Sequence, residues 1–549
     1  MNGDGAAVAP AHPRRTRAIR TDGAAQAVAR PSGVIGLRLV LAGLALGFVV
    51  VGVAGLEVGP LEARLGLAAG ERLGPLGQVL GYWAPDLWPA QVVPSLVLAR
   101  LEPWGRPTTA AVRWPAALAG ILGGWLLARG MFRALGLRAA IVFGCCWFGC
   151  VALIDRSAGA GIDLISGLAT VAAIDRLLTR GSDWSAGLWS GLAFLACGWP
   201  PLVVIGLALI VIGRPGAGFS PALLLPPAVI ALLWSAATIG LASAEVWAAA
   251  LTLPLTQKPA LSLGLGVMAL GLPWSPFSLL ALSRVLRANW PADGRRWVLG
   301  WVQVGLTGWI AGTLIPGLAP SARPVVLAGL LVAAAAGLEA AWTESLSPAA
   351  RRAFFVLFSA VLALWLITMT YAGFLWNFTM PYYRILGVVM GVLILAVIGL
   401  GWSALGWNHS RRGLVTLALL AVGLKLAHAG YYAPEWNYRR SQGPWGRAIG
   451  QWFPRRWPVY TFHDWPPDLC FFIGRPVRQL HSPRFLNYLP GSESRYVLLL
   501  TSEFDNWPRH APPIAPVARF QDPSGEDRIL ARTSGLLPVP GQTALRYLP

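Results

Sequence analysis

Apolar segments of about 20 residues, long enough to cross a bilayer as helices, recur along most of the chain. Arg, Pro, Gly and Trp mark their ends, so the pattern predicts thirteen membrane spans. The first is too long, and lacks the small-residue cleavage site, to be a removed signal peptide. The predicted spans are residues 34–56, 114–130, 138–154, 160–178, 187–198, 200–213, 220–242, 263–283, 298–316, 324–342, 353–375, 385–404 and 413–430. The two that meet at residues 198–201 also fit one broken span, which would move the C-terminal tail across the membrane unless another span were also miscounted.

Polar segments lie before and after the first predicted span. Residues 1–33 are rich in Ala, Pro and Arg without apolar periodicity, which predicts a disordered tail, and their arginines place this tail in the cytoplasm. Residues 57–113 then form a long outer loop. Apolar residues at helical spacing, with Trp88 and Trp104 nearby, predict two helices at the membrane surface, over Pro60–Leu73 and Pro89–Leu101.

The C-terminal tail, residues 431–549, contains charges, turns and short β-rich runs instead of long apolar ones. The runs predict strands at Val459–His463, Asp468–Ile473, Tyr496–Thr501 and Arg528–Arg532, with helices near Trp445–Trp452 and Pro483–Tyr488. The predicted fold class is therefore an all-α polytopic membrane protein, residues 34–430, followed by a small extracytoplasmic α/β domain with a mixed sheet.

Composition supports this class and excludes others. Hydrophobic residues make up 55% of the chain and charged residues 12%, which excludes a soluble core. The formal net charge of +20 comes from arginines in short segments between apolar runs, as the positive-inside rule expects, and no nucleic-acid recognition motif accompanies them. The five cysteines show neither zinc-ligand spacing nor a disulfide framework.

Several short motifs follow one another along these elements. They are Glu62–Leu73, Trp88-Pro89-Ala90, Val112–Gly120, Asp155-Arg156 with Asp163, Gln257-Lys258-Pro259, Leu272-Pro273-Trp274 and Thr313–Leu318. Together with thirteen spans, a long first outer loop and an outer α/β tail, they resemble the GT-C superfamily of glycosyltransferases. In pattern the chain is most similar to the lipid A aminoarabinose transferases and to the protein-mannosyltransferase-like group.

The resemblance implies an enzyme of the bacterial inner (plasma) membrane, with a cytoplasmic N-terminus and a periplasmic C-terminal domain. Such an enzyme moves a sugar from a polyprenyl phosphate donor to a lipid or glycan acceptor. An acceptor hydroxyl attacks the anomeric carbon, so a carboxylate must take its proton, and cationic groups or a divalent metal ion must stabilise the departing phosphate. The sequence itself identifies no metal ligands and no nucleic-acid partner.

The sharpest departure from the family lies at Leu61, where the family has its leading Asp. Glu62 follows and is a candidate base, because low-dielectric surroundings can raise the proton affinity of a Glu. Adjacent helical positions point about 100 degrees apart, however, so Glu62 does not simply occupy the place of Leu61. The alternative is a solvated Glu62 that pairs with Arg64 or Arg72.

The other candidates each have a structural alternative. Asp163, near the start of a span, is a catalytic candidate, or a carboxylate favoured by the helix dipole. Arg64, Asp155 and Arg156 are candidates for substrate binding, although Asp155 and Arg156 also fit interfacial charges. Lys258, one of only two lysines, is a candidate for the lipid phosphate, or for contact with headgroups.

Two other classes of protein remain open from the sequence. A transporter would show internal repeats and paired broken spans, and the chain has Pro-Pro breaks at 200–201 and 226–227 but no persuasive repeat. A catalytically inactive relative, binding a lipid-linked sugar or scaffolding an assembly, is favoured by Leu61.

Overall fold

The structure is a computed structural model that describes residues 31–50, 63–64, 67, 109–156, 162–213, 220–238, 262–452, 459–462, 465–474, 477–480, 482–488, 495–521, 525–533 and 546–547. A bundle of helices over residues 31–427 is followed by shorter helices and a six-stranded sheet. The bundle helices are α1 (Pro31–Phe48), α2 (Thr109–Leu135), α3 (Leu137–Phe148), α4 (Val151–Arg156), α5 (Ile162–Leu178), α6 (Asp183–Cys197), α7 (Pro200–Ile212), α8 (Pro221–Thr238), α9 (Ser262–Leu270), α10 (Arg284–Ala288), α11 (Ala292–Leu314), α12 (Ala319–Trp342), α13 (Pro348–Phe374), α14 (Arg384–Gly406) and α15 (Ser410–Ala427).

Every predicted span is mostly helical in the described residues. By length and hydropathy, five helical segments there can cross a membrane, and four shorter apolar helices accompany them. The five are Val112–Leu135, Pro316–Trp342, Pro348–Thr379, Pro381–Gly406 and Ser410–Arg439. The structure therefore supports a polytopic helical protein, while thirteen stays a prediction.

Two predicted spans are broken in the structure. Span 138–154 divides at Gly149-Cys150 into α3 and α4, and span 263–283 divides into α9 and a 3₁₀ helix over Ser275–Leu282. Pro273 and Pro276 lack the backbone N–H that a continuous helix needs, which explains the second break. The two breaks meet, since the N–H of Val151 donates to the carbonyl of Leu272 at 3.1 Å. Each of these two predicted spans therefore consists of two helical segments in the structure.

Residues 198–199 separate two helices rather than kinking one. Gly198 adopts a left-handed conformation with φ of 75°, which favours glycine, and α7 then starts with two prolines at positions where no N–H bond is lost. α6 packs mainly against α5 and α8, whereas α7 packs mainly against α5 and α11.

Helix α12 forms the centre of the bundle and packs against α3, α5, α11 and the 3₁₀ helix. Its approach to α11 depends on glycine, because a Cβ on Gly329 would lie 2.6 Å from the carbonyl oxygen of Trp301 and 3.0 Å from the Cα of Gly305. Small residues at such crossings let helix backbones approach closely in membranes. α13 and α14 instead expose apolar side chains such as Ile367 and Val392, as lipid-facing helices do.

Arginine-rich connections gather at one end of the bundle, here called the basic end. Trp297 near the start of α11 donates to Asp175 near the end of α5 at 3.0 Å, and the Arg133 side chain interacts with the same carboxylate. Ser410 donates to the carbonyl of Ala341 at 2.6 Å, which brings the start of α15 to the end of α12. The side of the membrane on which this end lies stays a prediction from the charge pattern.

The opposite, distal end carries the two helix breaks and two π-helical turns. The turns are Leu375–Thr379 after α13 and His428–Tyr432 after α15, and α16 (Ala433–Arg440) continues from the second. The hydroxyl of Tyr383 donates to Glu435 at 2.9 Å, and Arg439 pairs with the same carboxylate. These contacts fix α16 to the bundle.

The C-terminal segment forms a mixed α/β unit, which confirms the predicted kind of fold. The sheet order is β2-β1-β3-β5-β4-β6, with parallel pairing between β2, β1 and β3, antiparallel pairing between β3, β5 and β4, and parallel pairing between β4 and β6. The strands are β1 (Val459–Thr461), β2 (Val477–Gln479), β3 (Tyr496–Leu500), β4 (Ile514–Gln521), β5 (Asp527–Thr533) and β6 (Arg546–Tyr547). Helices α17 (Gly443–Gln451), α18 (Pro467–Ile473) and α19 (Thr501–Asp505) and a 3₁₀ helix (Pro483–Tyr488) accompany them.

Both faces of this sheet are buried. Along β3, Tyr496 and Leu498 belong to one apolar cluster, whereas Val497 and Leu499 belong to the other, as the two-residue period of a strand requires. Helices α17 and α18 cover the first face through Ile449 and Leu469.

One predicted strand, Asp468–Ile473, is helix α18. A short apolar run does not distinguish a buried strand from a buried helix, so the flanking residues decide. Pro467 occupies the first turn, Asp468 there complements the helix dipole, and Gly474 ends the helix in a left-handed conformation.

Candidate functional site

The first outer loop contacts the C-terminal unit close to the candidate base. Ala63, Arg64 and Leu67 are helical, in agreement with the helix predicted over Pro60–Leu73. Ala63 is fully buried, and Leu67 packs with Trp445 and Trp452 against the apolar cluster beneath the sheet. The segment that follows Glu62 is therefore in contact with the C-terminal unit.

Only some of the predicted site residues lie within the described part of the chain. Leu61, Glu62 and Lys258 lie outside the described residues, as does the helix predicted over Pro89–Leu101. The Arg64 side chain is half-buried.

The three remaining candidates lie at helix ends. Asp155 and Arg156 are the last two residues of α4, and Asp163 is the second residue of α5, with side chains outside the described set. α4 packs against α2, α3 and α9. The backbone thus brings the Asp155-Arg156 motif next to the helix that begins four residues after Lys258.

The Leu272-Pro273-Trp274 motif lies where the two broken helices meet α15. A Cβ on Gly149 would lie 3.0 Å from the Cβ of Ala421 on α15 and 3.4 Å from the indole Nε1 of Trp274. Trp274 is 2% exposed, and within the described part of the chain its Nε1–H has no hydrogen-bond acceptor. A buried indole N–H normally finds an acceptor, and among the described residues those of Trp290 and Trp301 lack one as well.

One turn further along α15 lies Lys425, which is 7% exposed. Its Nζ has no hydrogen-bond partner among the described residues, and none of their carboxylates acts on it electrostatically. The sequence analysis assigned no role to Lys425, which is the second of the two lysines in the chain. The sequence feature that could have identified Lys425 is its position inside the predicted span 413–430, because an ionisable residue within a span is a functional candidate by default.

Arg113 is a second buried cation that the sequence reasoning assigned no role. It lies near the start of α2 and is 1% exposed. Its position just after the long outer loop was the available signal.

The described residues do not provide a metal site of the usual kind. Among residues 31–50, 109–156, 162–213 and the later described ranges, no three His, Cys, Asp or Glu side chains cluster to hold an ion.

The fold defines a class: a polytopic helical bundle with a mixed α/β unit after its last helix. The structure matches that of ArnT from Cupriavidus metallidurans bound to undecaprenyl phosphate with a TM-score of 0.67 and 17% identity, covering 91% of this chain and 98% of that one. The apo structure of the same ArnT matches with a TM-score of 0.63, at the same identity and coverage. No protein-family model and no curated protein sequence matches the chain. The resemblance predicted from the motifs, to the group that includes ArnT, is thus confirmed at the level of the fold.

Proposed function

We propose that this protein transfers a sugar from a polyprenyl phosphate donor to a lipid or glycan acceptor at the outer face of the bacterial inner membrane. The observation that carries the proposal is the fold match over 91% of the chain to an ArnT that binds undecaprenyl phosphate. The sequence motifs, which were identified independently of that match, support the same reaction class.

The chemistry assigns a role to each candidate residue. Glu62 accepts the proton of the attacking hydroxyl, and Asp163 acts beside it at the distal end. Arg64, Arg156 and Lys258 face the donor, where positive charge stabilises the departing phosphate, and Asp155 orients the neighbouring Arg156 or a sugar hydroxyl.

The contact of Leu67 supports the proposed sidedness. Because Leu67 packs against the C-terminal unit, the first loop and the tail lie on one side of the membrane, which requires an even number of crossings between them. Twelve of the thirteen predicted spans lie between residues 113 and 431, and twelve is even. With the N-terminus in the cytoplasm, both segments are periplasmic.

The test is transfer of labelled sugar from a panel of polyprenyl phosphate donors by the purified full chain in lipid. Wild type is compared with Glu62→Gln, which removes the carboxylate at nearly constant volume, and with Leu61→Asp. We expect activity in wild type and a loss of about 100-fold or more in Glu62→Gln, the range of general acid–base catalysis. Silence in all three proteins refutes the transferase.

A second candidate, an inactive relative that binds lipid-linked sugar, is favoured by Leu61. It has its own signature in the same experiment. Wild type would then bind the donor without transfer, and Leu61→Asp alone would transfer sugar.

A further inference from the structure

We propose that Lys425 and the indole N–H of Trp274 form an anion site inside the bundle that binds the phosphate group of the polyprenyl carrier. This inference rests on the proposed function and adds a site to it. Neither residue belongs to the candidates identified from the sequence as phosphate ligands.

Lys425 and Trp274 are both close to the place where α15 contacts Gly149. Ala421 and Lys425 are four residues apart on α15 and therefore share a face of the helix. Helical side chains point back toward the N-terminal turn, so the Lys425 side chain extends toward Ala421. Ala421 in turn lies beside Gly149 and the Nε1 of Trp274. The ammonium and the indole N–H are thus both on the side of α15 that contacts the two broken helices.

The chemistry of these groups defines the ligand. An ammonium supplies three donors and an indole supplies one, and neither can accept a hydrogen bond. In the described residues no carboxylate acts on Lys425, and both donors are buried without an acceptor. Leaving a buried cation unpaired is unfavourable, so the complementary partner is a negatively charged group rich in acceptors. The phosphate of the proposed donor has this chemistry.

The position along the helix fits a ligand that enters from the distal end. Lys425 lies 15 residues after Ser410, which is at the basic end, and therefore about 22 Å along α15. On a hydrocarbon core about 30 Å thick, this depth is in the distal half. Arg323 on α12 lies at the same end, four residues before Leu327, which borders Gly271 next to the helix break. A lipid phosphate approaching the site therefore passes a second cation.

The experiment measures binding of three probes to the full chain in nanodiscs: undecaprenyl phosphate, undecaprenol and inorganic phosphate. The variants are Lys425→Met, which is nearly isosteric, and Trp274→Phe, which keeps a ring but removes the donor. Arg352→Met, an exposed cation at the basic end, serves as the matched control. We expect Lys425→Met to weaken undecaprenyl phosphate by about 10-fold to 100-fold, the effect of losing one charged hydrogen bond, and to leave undecaprenol unchanged.

A stability measurement separates this role from a structural one. If Lys425 has no ionic partner until an anion binds, Lys425→Met removes an unpaired buried charge from the ligand-free protein. The variant then unfolds at the same or a higher temperature than wild type. A lower melting temperature with unchanged phosphate binding overturns the proposal. Binding of inorganic phosphate as tightly as undecaprenyl phosphate also overturns it, because the site would not be a carrier site. If wild type binds neither undecaprenyl probe, the proposed function itself fails, whereas equal binding by wild type and Lys425→Met refutes the Lys425 site alone.

Discussion

The crossing of α11 and α12 offers a quantitative test of how this bundle is held together. A methyl group added at Gly329 would lie 2.6 Å from the carbonyl oxygen of Trp301 and 3.0 Å from the Cα of Gly305. Backbone atoms cannot move aside as side chains can, so the two helices must separate or tilt. Overpacking of this kind typically costs about 1–3 kcal/mol.

The substitution also changes helix propensity, because Ala is favoured over Gly by about 1 kcal/mol in a helix interior. Gly399 on the lipid-facing helix α14 provides the matched control, since nothing lies within 4 Å of a Cβ placed there. The propensity term is shared by both substitutions. The difference between Gly329→Ala and Gly399→Ala therefore isolates the packing cost, and we expect Gly329→Ala to be less stable by about 1–3 kcal/mol.

Equilibrium unfolding by SDS in mixed micelles measures this difference on the full chain. Gly391→Ala, at a second open position on α14, should behave as Gly399→Ala does. Equal stability of Gly329→Ala and the two controls would refute the close approach of α11 and α12. Such a result would also remove the reason for placing α12 at the centre of the bundle.

Two further predictions concern the C-terminal unit. Leu67→Asp places a charge against the apolar cluster beneath the sheet, so we expect faster hydrogen exchange in α17 and α18 and lower transfer activity. The control Leu67→Met should preserve both the exchange rates and the activity. Unchanged hydrogen exchange in Leu67→Asp would exclude the contact. Burial raises the pKa of the Asp468 carboxyl, so the cost of ionising it in the folded state is absent at low pH, grows as the pH rises from the pKa of the unfolded chain to the raised pKa of the folded one, and is then constant. Asp468→Asn should therefore unfold at a higher temperature than wild type near about pH 8 and at a similar temperature near about pH 4, and a constant difference across this range would contradict the buried carboxyl.

The sequence predicted the helical elements well because apolar runs of membrane length have few alternatives. Its errors lie where local patterns are ambiguous. Residues 468–473 form a helix, since the flanking prolines and glycine outweigh a short apolar run. Strand β4 was missed because Pro516 argues against a central strand, and the structure accommodates it with an irregularity between Pro516 and Ala518.

The candidate site was less predictable than the fold. Motif spacing identified Trp274 as part of a Leu-Pro-Trp sequence but gave no indication that its N–H is buried without an acceptor. The importance of Lys425 depends on the absence of carboxylates on the helices around it, and only the packing of α15 against the two breaks provides that information. Pairing between side chains distant in sequence is a property of tertiary structure, which a single sequence does not contain.

The contact between Leu67 and the C-terminal unit has a consequence for biosynthesis. Chains are made from the N-terminus, so Leu67 leaves the ribosome early, whereas the cluster against which it packs, from Ile449 to Leu530, is synthesised after the whole helical bundle. Leu67 therefore reaches its packed position only after the helical bundle and the C-terminal unit have been synthesised. A truncated product that stops within the bundle would therefore lack the apolar cluster against which Leu67 packs.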